Sequence, residues 1–217
     1  MPYDAILFDM DGTVLNTLDD LHDSVNTALR QFDLPERSAD QVRAALGNGS
    51  RYLIEHSVPG GTPSALTEQV LAFYGPWYTA HSRIRTRPYP GITELMRRLR
   101  SAGLRLAIIS NKPDSAVPAL AEENFPGLLE LAVGEREGVR RKPAPDMIFQ
   151  AVNGLGLPLR RCLYVGDSEV DIATARAAGI DCVSVTWGFR TSEQLREAGA
   201  EVLISTAEEL GDWILRH

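Results

Sequence analysis

Ala5-Ile6-Leu7-Phe8 is a short continuous apolar run that stops at Asp9. It predicts a buried strand with Asp-Met-Asp-Gly-Thr at its carboxyl end. From Thr17 the period changes. Leu18, Leu21, Val25, Ala28, Leu29 and Phe32 recur at helical spacing, Asn16 or Thr17 can cap the helix, and Leu34-Pro35 stops it. Ser38 caps a second helix through Leu46, Gly47-Asn48-Gly49 reads as a turn, and a short helix follows from Ser50 to near Val58. Pro59 to Pro63 is a loop by composition, and Ser64 to His81 is a longer helix. These seventy or so residues contain no convincing strand.

After Arg87-Pro88-Tyr89-Pro90-Gly91 the apolar runs shorten and alternate with helical patterns. Strands are predicted at Leu104–Ile109 (ending at Ser110), Leu131–Val133, Cys162–Val165 (ending at Gly166-Asp167), Cys182–Val185 and Val202–Ile204. Helices are predicted at Ser115–Glu123, with Pro118 near its start, at Pro145–Leu155, at Asp171–Ala178 closed by Gly179, and at Ala207–Leu215. Continuous apolar strands alternating with helices argue for a parallel sheet covered on both faces. The expected fold is therefore α/β, a Rossmann-like core of residues 1–15 and 86–217 with an all-helical insertion at 16–85.

Composition narrows the function classes. The 217 residues are 44% hydrophobic and 24% charged, ordinary for a globular protein that folds around its own core. With 22 basic against 29 acidic residues the formal net charge is −7, which argues against a broad nucleic-acid or anionic-membrane footprint. Cys162 and Cys182 have no metal-ligand or redox spacing, the acidic start is no signal peptide, and no apolar run spans a bilayer. The expectation is a soluble cytoplasmic protein, monomeric or homodimeric, with no nucleic-acid or membrane partner.

Ligands of parallel sheets bind beyond the carboxyl ends of the strands. Three strand ends here are unusually polar: Asp9, Asp11 and Thr13; Ser110, Asn111 and Lys112; Asp167, Ser168 and Asp171. Lys142-Pro143 lies in a loop leading towards the third. If these ends converge, four carboxylates meet near two lysines. Two unit charges ~4 Å apart interact by roughly 4 kcal/mol at an effective dielectric of ~20, so such a cluster needs a cation or must protonate. Hard oxygen ligands with room for phosphate oxygens suit Mg²⁺. In such a site one aspartate can attack phosphorus, a second can exchange protons with the leaving oxygen and water, and a hydroxyl and a lysine can hold the phosphoryl oxygens.

The four motifs Asp9-Met10-Asp11-Gly12-Thr13, Ser110-Asn111-Lys112, Lys142-Pro143 and Gly166-Asp167-Ser168-Glu169-Val170-Asp171, in this order, resemble the haloacid dehalogenase superfamily of phosphotransferases over essentially the whole chain. The resemblance implies Asp9 as nucleophile and Asp11 as general acid/base, with Ser110 and Lys142 on the phosphoryl group. It implies Mg²⁺ held by Asp9, the Asp11 carbonyl and Asp167, with Asp171 in support, and a helical cap in the insertion. Gly47-Asn48-Gly49 with Arg51, Ser110 through Pro113, Gly166 through Ile172 and Trp187-Gly188-Phe189-Arg190 look most like the phosphoglycolate phosphatases. That implies a small anionic phosphorylated metabolite as substrate. Gly12, Thr13 and Asn111 would line its site, with Gly49 and Arg51 in the cap, where Arg51 could pair with a carboxylate. Dehalogenases lack the second aspartate. β-Phosphoglucomutases place a cap histidine where Leu21 stands, and His22 lies about 100° further round the helix. A mutase and a pyrophosphate or sugar-phosphate phosphatase remain the enzymatic alternatives. A non-catalytic binding protein would be expected to lose Asp9, Asp11 or Lys142.

Plainer readings stand beside these. Asp-x-Asp-Gly is also a common turn, but Val14 and Asp20 occupy the Gly and Glu positions an EF-hand needs. Asp167 and Asp171 could simply favour a helix N-terminus. Gly47-Asn48-Gly49 can be a turn alone. His22, His56 and His81 read as structural or solvated, and Phe73, Tyr74 and Trp77 as insertion core. No acidic residue lies between Glu68 and Glu94, a stretch holding Arg83, Arg85 and Arg87. These arginines make either a solvated linker or a positive rim that draws in an anion.

Overall fold

The computed structural model describes residues 2–216, so Met1 and His217 lie outside the described residues. The chain divides into two compact units, Thr17–Arg87 and the residues up to Asn16 together with those from Pro88 onward.

The first is all-helical: α1 (Leu18–Gln31), α2 (Ala39–Ala44), α3 (Gly49–Ser57) and α4 (Ser64–His81). Leu21, Val25, Ala28 and Leu29 form the buried stripe of α1. On α4, Val70, Tyr74 and Tyr78 are buried at four-residue spacing, and the last two rings stack at 5.6 Å. Tyr74 is thus core, whereas Phe73 and Trp77 are only half-buried and stack on each other at 5.7 Å. Ser38 forms a capping box with Gln41, as its sequence invites. Helix α2 stops at Ala44 rather than Leu46, because the Ala45 and Leu46 amides turn back to Val42 and Arg43, the tighter bonding of a helix end. Thr17 precedes α1 but its side chain does not cap it. Its backbone (φ −110°, ψ 1°) lies outside the extended conformation that aims a hydroxyl at the first turn.

Asp20, 3% exposed, ties this unit together. Its carboxylate accepts from the Arg85 amide at 2.9 and 3.0 Å and from the Thr86 amide and hydroxyl at 2.9 Å. Arg85 also pairs with Asp23, and Arg87 donates to the carbonyls of Thr86 and Ile84. The stretch is free of acids in sequence only. Helix α1 brings Asp20 and Asp23 to it, and Arg85 is therefore not an uncompensated charge.

The second unit holds a six-stranded sheet, and the two-residue strands β2 (Leu15–Asn16) and β3 (Arg87–Pro88) lie at the ends of the chain segment that forms the helical unit, which includes Arg87. The sheet comprises β1 (Ala5–Phe8), β4 (Arg105–Pro113), β5 (Leu131–Glu135), β6 (Cys162–Gly166), β7 (Asp181–Val185) and β8 (Val202–Ile204), in the order β5-β4-β1-β6-β7-β8. Each pairing is parallel. Helices α5 (Ile92–Ser101), α6 (Val117–Asn124), α7 (Asp146–Leu155), α8 (Glu169–Ala178), α9 (Ser192–Glu197) and α10 (Ala207–Arg216) complete it. Alternation along β1 separates two cores: Ile6 and Phe8 pack with residues of α5, α6 and α10, Ala5 and Leu7 with residues of α7 and α8. This is the α/β, Rossmann-like parallel sheet expected, with both faces covered.

Three boundaries differ from the sequence reading in ways that matter below. Strand β4 does not end at Ser110 but continues to Pro113 through a register shift, so Ser110, Asn111 and Lys112 are buried strand residues. Helix α8 starts at Glu169, two residues before Asp171, because Ser168 takes the N-cap position and Asp171 becomes the third residue of a capping box. Helix α6 starts at Val117 rather than Ser115, with Pro118 in its first turn. Helices α5 and α9 have no counterpart in the sequence reading. Ile92, Leu95, Met96 and Leu99 of α5 do carry the helical period, hidden behind the preceding proline-rich turn.

Candidate active site

The central strand β1 and its neighbours β4 and β6 deliver the polar groups. Asp9 follows β1 directly, and its amide donates to the Val165 carbonyl at 2.8 Å. Lys142 is 2% exposed and enters from the loop before α7. Its ammonium lies 2.6 Å from Asp9 Oδ1, 2.7 Å from Asp171 Oδ1 and 3.0 Å from the Tyr164 hydroxyl. The three ammonium protons thus have three oxygen partners. Arg140-Arg141-Lys142 is therefore not merely a solvated basic loop.

Asn111 holds that loop in place. Its Nδ2 donates to the Lys142 carbonyl at 3.0 Å, and its Oδ1 accepts from the Lys142 amide at 2.8 Å. The side chain read from sequence as facing substrate is committed to the backbone of Lys142. Ser110 and Lys112, two apart on the strand, both reach Asp11. Ser110 Oγ is 3.5 Å from Asp11 Oδ2, and the Lys112 ammonium is 2.8 Å from Asp11 Oδ1.

Asp167 accepts from the Thr13 hydroxyl at 3.0 Å and from the Phe189 amide at 2.7 Å. Two glycines make room for it. A Cβ on Gly12 (φ 90°) would lie 2.4 Å from Asp167 Oδ2, and one on Gly188 would lie 2.3 Å from it. Gly166 does the same for Asp171, whose Cβ would be 2.3 Å from an added methyl. Asp171 is fully engaged. Oδ1 faces Lys142 and Tyr164, while Oδ2 accepts from the Asp167 amide at 3.2 Å, the Ser168 amide at 3.1 Å and the Ser168 hydroxyl at 2.6 Å.

The electrostatics follow from this crowding. Burial pushes Asp9 well above the usual carboxylate range, with the charges of Asp171, Asp167 and Asp11 adding to it against the pull of Lys142. Burial and the Asp171 charge raise Asp167 to about 7, against the Phe189 amide and Thr13 hydroxyl. Burial alone would lower Lys142, but Asp171 and Asp9 outweigh it and hold it well above the ordinary lysine value. Oxygens of Asp9, Asp167 and Asp171 lie within 4.8 Å of one another, a donor set of the hard, anionic kind that suits a divalent cation.

Asp9, Asp11, Gly12, Thr13, Ser110, Asn111, Lys142, Asp167 and Asp171 thus gather in this one unit. Gly49 and Arg51 belong to the helical unit, where Arg51 pairs with Glu68 and lies 3.7 Å from Glu55. His22 lies there too, with Nε2 2.9 Å from the Arg37 carbonyl, while His56 and His81 stack on Tyr52 and Trp77. Sequence reasoning missed Tyr164, whose hydroxyl joins Lys142 to Asp171. Its signal was a polar tip in an otherwise apolar strand. The Trp187–Arg190 stretch drew attention without a geometry. It supplies the Phe189 amide to Asp167, the Trp187 indole to the Thr13 carbonyl at 2.9 Å, and a two-pronged Arg190–Glu169 pair at 2.7 and 3.0 Å.

The sequence model of a family described as haloacid dehalogenase-like hydrolase matches residues 6–185. The chain is 34% identical over 209 residues to a phosphoglycolate phosphatase of Mesorhizobium japonicum, covering 94% of this chain and 92% of that protein. It is 32% identical over 211 residues to a phosphoglycolate phosphatase of Pseudomonas syringae pv. syringae, covering 94% and 77%. A crystal structure from Lactobacillus delbrueckii subsp. bulgaricus, provisionally called a phosphoglycolate phosphatase, superposes with a TM-score of 0.92 at 39% identity, covering 99% of both chains. No helix among the described residues is long and apolar enough to cross a membrane.

Proposed function

The chain belongs to the haloacid dehalogenase-like hydrolase family and is a phosphoric monoester hydrolase, and from that premise we propose that its substrate is 2-phosphoglycolate and its nucleophile Asp9. The observation that carries the reading is the Lys142 ammonium 2.6 Å from Asp9, with Asp11 two residues on and Ser110 beside it. Asp9 attacks phosphorus, the bond to the ester oxygen breaks, and Asp11 gives that oxygen its proton. Asp11 then takes a proton from water, which attacks the aspartyl-phosphate, expels phosphate and regenerates Asp9. Ser110 and Lys142 hold the phosphoryl oxygens while their charge shifts. The helical unit of residues 17–87 is proposed as the cap. The mutase alternative lacks support, since Leu21 stands at the position of the mutase histidine and His22 is bonded to the Arg37 carbonyl.

The residues fit Mg²⁺ as the cation, held by the Asp9 and Asp167 carboxylates and the Asp11 carbonyl. The many donors on Asp171 make it the anchor behind them. When bound, the ion would neutralise charge on the phosphoryl oxygens. The direct test ranks a panel of phosphorylated metabolites by kcat/KM with MgCl₂ and with EDTA. The expected result is 2-phosphoglycolate first and activity abolished by EDTA. A sugar phosphate or pyrophosphate at the head of the ranking would refute the substrate assignment.

The raised carboxylates make the ion's effect on stability depend on pH. Asp167 has a folded-state pKa of about 7, above its unfolded value. Its contribution to folding is full below the unfolded pKa and is lost as pH rises through the folded one. A divalent ion binds the ionised form and reverses that loss. Saturating MgCl₂ is therefore expected to raise Tm by about 5–10 °C at pH 8, from the ~2.7 kcal/mol that ligand at a hundred times Kd supplies. The rise at pH 5 should be much smaller. Equal increments at both pH values would count against metal binding by these carboxylates.

A further inference from the structure

Lys112 is a second buried ammonium in the site, and the phosphatase reading gives it no task. Its side chain is 2% exposed, and the Asp11 oxygen it faces at 2.8 Å, Oδ1, is itself buried, so the two charges meet in the interior. Lys142, by contrast, already has a task in that reading, beside Asp9 and on the phosphoryl group. The strand fixes which side of Asp11 each group occupies. Ser110 Oγ approaches Asp11 Oδ2, and the Lys112 ammonium approaches Oδ1. The Lys112 amide also donates to Ser110 Oγ at 3.1 Å, so the two positions are locked together.

We propose that Lys112 selects the substrate by pairing with a carboxylate on the carbon next to the phosphate ester. The proposal rests on the phosphatase reading, in which Ser110 holds the phosphoryl group and Asp11 protonates the leaving oxygen. One flank of Asp11 is then the phosphoryl side, and the flank occupied by Lys112 is the leaving-group side. A carboxylate one carbon from the ester oxygen falls within reach of an ammonium already beside the proton donor. A neutral leaving group offers Lys112 no such partner. Arg51, the cap residue that the sequence suggests for this task, is instead engaged by Glu68 and Glu55.

The test compares 2-phosphoglycolate with 2-hydroxyethyl phosphate, which replaces the carboxylate by an alcohol at the same carbon. The readout is the ratio of their kcat/KM values in the wild type, Lys112→Met and Arg51→Ala, each verified as folded by thermal melting. Truncating one partner of a buried charge pair has effects of about 2–5 kcal/mol, so the ratio is expected to fall by about 30-fold or more in Lys112→Met. Arg51→Ala should leave it within about threefold. Should Lys112→Met fail to fold, Lys112→Gln takes its place with the same expectation. A ratio unchanged by removing the lysine overturns the proposal and leaves the phosphatase reading intact, because a general effect on Asp11 slows both esters alike. A ratio that collapses only in Arg51→Ala overturns it as well. A wild type that hydrolyses neither ester overturns the substrate reading itself, and the proposal with it.

Discussion

Asp9→Asn is expected to lower kcat for 2-phosphoglycolate and for p-nitrophenyl phosphate by at least about 10⁴-fold, because an amide cannot form the covalent intermediate. The variant should fold well, and that makes the result readable. Asn is nearly isosteric with Asp and is neutral at a position where burial and three neighbouring carboxylates disfavour the charge. Lys142 keeps Asp171 at 2.7 Å and Tyr164 at 3.0 Å. The metal-free variant is therefore expected to melt no lower than the wild type. A variant retaining more than about a hundredth of wild-type turnover would exclude Asp9 as nucleophile.

Lys142→Met carries the largest expected effect on folding. The substitution leaves the buried Asp9 and Asp171 carboxylates facing each other without their shared cation. Breaking a buried pair from one side destabilises by about 3–5 kcal/mol, or roughly 10 °C in Tm for a chain of this size. The deficit should depend on pH in a definite direction. Asp9 is pushed upwards by burial, so protonation relieves the repulsion and the difference from wild type should shrink as pH falls towards 5. Activity should fall by about 10²–10³-fold as well, the usual consequence of removing a donor to a developing charge. Melting curves on metal-free protein from pH 5 to 8 decide the first point. A variant within about 2 °C of wild type at pH 8 would mean that Lys142 does not balance these carboxylates.

Most of the core was legible in the sequence because the central strands contain unbroken apolar runs, such as Ala5–Phe8 and Leu106–Ile109, and polar clusters follow them. Asp9 after Phe8 and Asp167 after Gly166 are of this kind. The method faltered where polarity and regular structure coincide. Ser110, Asn111 and Lys112 looked like the residues after a strand, but β4 runs through them, and their buried polar groups are met by Asp11 and the Lys142 backbone. Asp171 looked like the start of a helix because an acid there favours the dipole, yet Ser168 takes that place. Asn111 shows the limit most plainly. A residue's type at a strand end suggests a ligand, whereas its partner lies 31 positions away along the chain. The arginine stretch makes the same point, since it lacks acids only along the chain, and Asp20 and Asp23 reach it from α1.

The placement of β1 at the centre of the sheet bears on how the chain assembles during synthesis. Asp9 is made long before the partners of its strand, which are Arg105–Ile108 on one side and Cys162–Val165 on the other. Parallel pairings of such long separation close late and slowly. The helical unit is complete in sequence by Arg87, well before either neighbour of β1 exists. The four carboxylates are therefore forced together only after Asp171 has been made, some thirty residues behind Lys142. Their repulsion is absent while the first half of the chain folds, and the lysine that balances them is always synthesised before the last of them.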